Sequence, residues 1–172
     1  MNALDHFTIP VSGLHNGLHE FDFIIEADFF KHFEESPISE ANVNVHLAFD
    51  KQTDLYVMEF DLAGTVKSTC DRCLEELNVP IEDSQSLLVK FDEKEWEDAE
   101  VVYILQGTAQ INVARYIYEF VNLAMPMVKT HSAAGESCDP EMLKFLSPES
   151  EEEEKPSTNP VWDSLRGFNL EN

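Results

Sequence analysis

Residues 42–64, NVNVHLAFDKQTDLYVMEFDLAG, decide the fold. Val43, Val45, Leu47 and Phe49 alternate with Asn42, Asn44, His46 and Ala48, the period of two that marks a half-buried strand. DKQTD supplies a polar turn, and the returning run places Met58, Phe60 and Leu62 on one side. Two such runs joined by a short turn predict a β-hairpin. Upstream, HEFDFIIEADFFKHF (residues 19–33) opens with the same alternation, Phe21, Phe23 and Ile25 sharing a face. Asp28 is placed to cap a short helical turn carrying Phe29, Phe30 and Phe33, an aromatic cluster assigned to the core.

Downstream of the hairpin, Gly64 permits a bulge or bend before TVKSTC (65–70), which continues the strand or opens a new one. VPIEDSQSLLVKFD (79–92) is extended and ends in Leu87, Val89 and Phe91. DEKEWEDAE (92–100) reads as a solvated acidic loop, and VVYILQG (101–107) as a further strand closed by Gly107. The period then lengthens. In INVARYIYEFVNLAMP (111–126), Ile111, Ala114, Ile117, Val121 and Leu123 recur at helical spacing, with Asn112 as the cap and Pro126 as the stop. A short helix is expected from Asp139.

Strands followed by helices predict an α+β domain over residues 1–146, its antiparallel, strand-rich first two-thirds able to curl toward a barrel. Residues 147–160, SPESEEEEKPSTNP, hold no apolar side chain and read as a disordered acidic linker. Residues 161–172 regain Trp162, Leu165 and Phe168 and form a short amphipathic C-terminal segment.

Charge narrows the function classes. Eleven Lys and Arg stand against 34 Asp and Glu, a formal charge of −23. That field repels phosphate backbones and speeds encounters with cationic partners. Direct contact with nucleic acid needs clustered Lys and Arg, and no such cluster is visible. Three cysteines fit a reducing compartment better than a disulfide framework. The N-terminus has neither a basic segment nor an apolar run, so a cytoplasmic protein without membrane spans is expected.

Two cysteines sit in KSTCDRCLEELNVPI (67–81) with C-x-x-C spacing. A redox pair wants its first thiol at a helix N-terminus. Here Pro80 allows no more than one turn after Cys73, and Asp71, Glu75 and Glu76 oppose a thiolate. A structural metal site needs four ligands. Cys70 and Cys73 would give two, and His131 and Cys138 of KTHSAAGESCDP (129–140) two more, with zinc as the candidate ion. The remaining alternative is two small buried thiols beside a turn, with His131 exposed. No histidine pair with H-E-x-x-H spacing, Gly-rich phosphate loop or G-x-S-x-G elbow occurs, so no catalytic or cofactor-binding residue is assigned and a non-enzyme is expected.

The order of these features resembles the YceD family of bacterial large ribosomal RNA subunit accumulation proteins. HEFDF, then Gly64 and Val66 leading into Cys70, Arg72, Cys73 and Leu74, match its G-x-V and C-x-R-C-L segments. The chain end is similar to its D-P-R-W-x-x-L through Pro160, Trp162 and Leu165, with Asn159 and Val161 in place of the charged pair. The likeness runs from about residue 19 to the end. Some family members carry downstream cysteines that resemble a zinc site, a place here open to His131 and Cys138. The resemblance implies a role in large-subunit rRNA accumulation. Combined with the charge, it implies binding of a basic ribosomal protein or assembly intermediate, through the acidic runs at 92–100 and 149–154. The competing expectation is a metal- or thiol-dependent protein centred on the C-x-x-C.

Overall fold

The computed structural model describes residues 3–146 apart from Glu35, Ser39 and Ala99. The segments at 147–160 and 161–172, with Pro160, Trp162 and Leu165, lie outside the described residues.

The hairpin forms where the alternation puts it. Strand β3 (Ala41–Lys51) returns as β4 (Leu55–Thr69), with Gln52 N–H donating to the Leu55 carbonyl at the turn. A six-stranded sheet is built around it in the order β2 (Gly17–Glu26), β3, β4, β5 (Glu76–Asp92), β7 (Val101–Leu105), β6 (Trp96–Asp98). A two-stranded ribbon pairs β1 (Thr8–Ile9) with β8 (Ile111–Asn112). Helices are few: α1 (Ala27–Phe30), α2 (Ala114–Ala124) and α3 (Pro140–Lys144). The domain is α+β as expected. Its sheet is open rather than closed into a barrel, and one pair, β5 with β7, runs parallel.

Register explains the two faces. Phe23, Val45 and Leu62 lie in one cross-strand row, and Phe49 pairs with Met58 in another. These side chains are buried; Phe7 packs on Phe23, and from α2 Phe120 meets Phe60 edge-to-face at 5.1 Å. Phe29 and Phe30 join this core and Phe33 stacks on Tyr118 at 4.1 Å. The opposite face of β2–β5 carries no covering element among the described residues.

Several local expectations change. Gly64 makes neither bulge nor bend: it pairs in register with Val43 and Ile81. A side chain there would meet the Asn42 carbonyl and lie 2.6 Å from Val43 Cα, so glycine is required for close backbone approach. Asp28 sits inside α1 and holds Lys31 at 2.6 Å, while Glu26 occupies the cap position without a side-chain bond. Ile111 belongs to β8, and Leu123 points to solvent. Val113, not Asn112, is the N-cap of α2, though Asn112 just before it accepts from Ala114 N–H through Oδ1; Asp139 caps α3 through Glu141 N–H. The acidic run at 92–100 contains strand β6, pinned by Trp96 stacking on Tyr103 and by the Arg115–Glu97 pair. His19 shares the row of Phe49, on the inward side of β2. No helix among the described residues is long and apolar enough to cross a membrane.

Candidate metal centre

The link between the two longest strands is only six residues long, and it carries the C-x-x-C. Cys70 follows the last residue of β4. Its N–H donates to the Glu75 carbonyl at 2.8 Å, and its own carbonyl accepts from Leu74 N–H at 3.0 Å. Leu74 stands at φ 62°, a left-handed conformation rare outside glycine that turns the chain back into β5. No helix follows Cys73. Arg72 N–H donates to Cys70 Sγ at 3.5 Å, and Arg72 itself is exposed. Val66 and both cysteines are buried, so the motif residues Gly64, Val66, Cys70, Arg72, Cys73 and Leu74 form one strand end and one tight knuckle.

A second segment closes over the knuckle. Asp71 N–H donates to the Lys129 carbonyl at 2.7 Å, and Lys129 N–H returns a bond to Asp71 Oδ2 at 2.6 Å. This double latch is a feature the sequence analysis did not identify. From it the chain turns through residues 130–136, with Glu136 N–H on the His131 carbonyl and Gly135 at φ 81°. His131 and Cys138 are thereby delivered beside Cys70 and Cys73.

One donor atom from each of Cys70, Cys73, His131 and Cys138 lies within 4.8 Å of every other. Cys70 Sγ is 3.8 Å from Cys138 Sγ, and Cys73 Sγ is 3.2 Å from His131 Nδ1. With Zn–S bonds of about 2.3 Å, sulfurs at two corners of a tetrahedron stand about 3.8 Å apart. His131, expected at the surface if the thiols were merely buried, is only 6% exposed. Its Nε2 lies 3.2 Å from the Glu76 carbonyl, which can only accept, so that nitrogen carries the proton and Nδ1 is left as the ligand atom. The donor set, its burial and its outer bond all fit a closed four-coordinate site.

Electrostatics divide the set: the Cys70 shift favours the metal-bound form, and those of Cys138 and His131 oppose it. Burial pushes the Cys70 thiol up, but backbone N–H groups of Cys73, Arg72 and His131, with the Cys73 side chain, outweigh it and bring the thiol down to about 6. Burial, reinforced by Cys70 and Cys73, raises Cys138. The Cys70 side chain raises His131, aided by the Glu76 carbonyl. A thiol that ionises easily is the form a metal takes.

A second constellation, also missed, lies on the uncovered sheet face. His46 stands between Asp22 and Asp61 in one cross-strand row, its Nδ1 2.8 Å from Asp22 Oδ1. The hairpin turn alone places His46 opposite Asp61. The match to Asp22 depends on how β2 docks across residues 31–40, which no local pattern reveals.

Comparison with known proteins gives one family. The family model described as "Large ribosomal RNA subunit accumulation protein YceD" matches residues 58–169, well over half of the chain, from near the start of β4 through the cysteine knuckle and beyond the described residues. No curated protein and no solved structure matches the chain.

Proposed function

The chain belongs to the YceD family, and from that premise we propose a non-enzymatic ribosome-biogenesis factor. It supports large-subunit rRNA accumulation by binding a basic protein, either a large-subunit ribosomal protein or an assembly intermediate that carries one. The observation that carries this reading is the charge of −23 on a chain with so few cations. Free ribosomal proteins are strongly basic; an acidic domain attracts them over long range and shields them until their RNA site is ready. The same field disfavours direct rRNA contact. In this reading the cysteine cluster binds zinc and serves structure, fastening residues 129–138 to the sheet.

The test is a tagged pull-down from growing cells at two salt concentrations, with bound protein and RNA identified. Basic large-subunit proteins at low salt, fading at high salt, support the reading. A chain that comes down alone, or with RNA that resists salt, overturns it. A captured nuclease would instead make the chain a processing cofactor.

A thiol-dependent reading has one specific observation in its favour, the Cys70 thiol at about 6. Turnover of a dithiol substrate by the natural chain and not by Cys70→Ser would favour it.

A further inference from the structure

The inner face of the sheet is closed by α2 and the aromatic cluster; the outer face of β2–β5 is open. Two complete cross-strand rows line a groove of about 710 Å³ there. One row is Asp22–His46–Asp61–Ser84, the other Ile24–Asn44–Ala63–Glu82. The rows on either side are Glu20–Ala48–Glu59–Ser86 and Glu26–Asn42–Thr65–Pro80. Acids repeat along β2 and β4, yet the four rows contain no Lys or Arg, and His46 is their one basic side chain. Rows that needed only to stay soluble would mix signs, as the face does just beyond them where Lys67 pairs with Glu40 and Glu76, because opposite charges across strands stabilise a sheet and like charges do not. In the middle of the acids lies Ile24, 66% exposed, with exposed Ala63 in the same row on the far side of Asn44.

We infer that this groove is where the basic partner docks: a Lys/Arg-rich segment of a protein lies across β2–β5, its cations on Asp22, Asp61 and Glu82 and an aliphatic side chain on Ile24. The inference rests on the basic-partner reading above and moves the contact from the acidic runs at 92–100 and 149–154 to the sheet. Charge complementarity selects the occupant. Nucleic acid is repelled, and so are residues 147–172 of the chain itself, which carry Glu151 to Glu154. Carboxylates alone would attract any cation. The exposed Ile24 side chain, desolvated only by a side chain of matching chemistry, is what gives specificity.

The experiment titrates the full ¹⁵N-labelled chain with a short peptide of alternating Lys and Leu, at ionic strengths of about 0.01 and 0.15 M, where the Debye length falls from about 30 to about 8 Å. The largest amide shifts are expected at Ile24, His46, Asp61, Ala63 and Glu82, with weaker binding at the higher salt. Asp61→Lys with Glu82→Lys should weaken the peptide at least about tenfold. Asp92→Lys with Glu93→Lys, the same charge change in the acidic run, should cost less than about threefold. A peptide of alternating Lys and Ser should bind the natural chain about tenfold more weakly, and Ile24→Ser should remove that difference. Both double variants change exposed residues, and unaltered melting confirms their folding.

Shifts centred on 92–98, equal losses from the two double variants, or a groove unmoved by peptide because a second copy or residues 147–172 already fill it would each overturn the assignment. The basic-partner reading fails separately. If the natural chain captures no basic protein from cells, that reading falls. If the Asp61→Lys/Glu82→Lys variant captures the same protein as well as the natural chain does, only the groove falls.

Discussion

The sheet and the cysteine lobe share strand β4 but are held by different physics. In the sheet, Leu47, Phe49, Met58 and Phe60 are fully buried, and removal of their apolar surface from water fixes the strands without help from any ligand. The lobe at 129–138 contains no helix or strand, and its best-buried side chain is a histidine. One backbone and one side-chain bond of Asp71 to Lys129, the His131–Glu76 bond and the four-donor cluster hold it. The comparison teaches which half of the centre is preformed. Cys70 and Cys73 are placed by the sheet whether or not metal is bound, whereas His131 and Cys138 are placed by the latch. A metal there would act as a clasp on a finished sheet rather than as the nucleus of the fold.

Breaking the sheet should cost most. Phe60→Ala leaves a cavity against Phe120 and should lower global stability by about 4 kcal/mol in denaturant unfolding. Its neighbour Asp61 points to the open face, so Asp61→Ala should stay within about 0.5 kcal/mol. Equal losses from these adjacent residues would refute the two-faced description. Next comes Gly64→Ala, whose methyl group collides with the β3 backbone rather than with a movable side chain. A loss of about 2–3 kcal/mol is expected, and a neutral substitution would mean that β3 and β4 can separate there.

Stripping the metal should cost less than Phe60→Ala and no more than Gly64→Ala, and act locally. Purified protein is expected to carry about one zinc per chain by elemental analysis. A chelator, or Cys73→Ser, should lower stability by about 2–3 kcal/mol and the melting midpoint by about 5–10 °C. Amide exchange would sharpen the comparison. Residues 129–138 should lose protection while β3 and β4 keep theirs. Simultaneous loss in both would make the lobe integral to the fold, and protein that takes up no zinc would remove the clasp.

How much of this the chain discloses follows the same division. The hairpin was legible because alternation and turn are local. Strand β6 was not: six carboxylates and one Lys between 92 and 100 read as loop, and the contacts that make Trp96–Asp98 a strand come from Tyr103 and Arg115, distant in the pattern. The parallel β5–β7 pair was hidden for a related reason. Chain order favours antiparallel neighbours, and β6 on the far side of β7 is what makes the return. At the centre, residue type alone brought Cys70, Cys73, His131 and Cys138 together, but their spacing matches no standard knuckle. The burial of His131 and the Asp71–Lys129 latch could be seen only in three dimensions.

The smallest effect belongs to the outer face, and it tests whether His46 belongs to the acidic row. Its hydrogen bond to Asp22 raises the imidazole above 6.5 against the opposing effect of burial, with the charges of Asp22, Glu20 and Asp61 adding to the rise. A pKa higher folded than unfolded means the folded chain holds the proton more tightly. The stability gained is therefore fully present below the unfolded value of about 6.5 and is lost as pH rises through the folded one. Asp22→Asn should lower the His46 midpoint in an NMR titration and flatten stability in the window from 6.5 upward. Because the pair is exposed and salt screens it, added salt should shrink the natural chain's shift toward the variant's. An unchanged midpoint in Asp22→Asn would mean that Asp61 and Glu20 already suffice. The carboxylates would then act on a bound cation as a shared field, and single substitutions along the groove should have graded rather than decisive effects on docking.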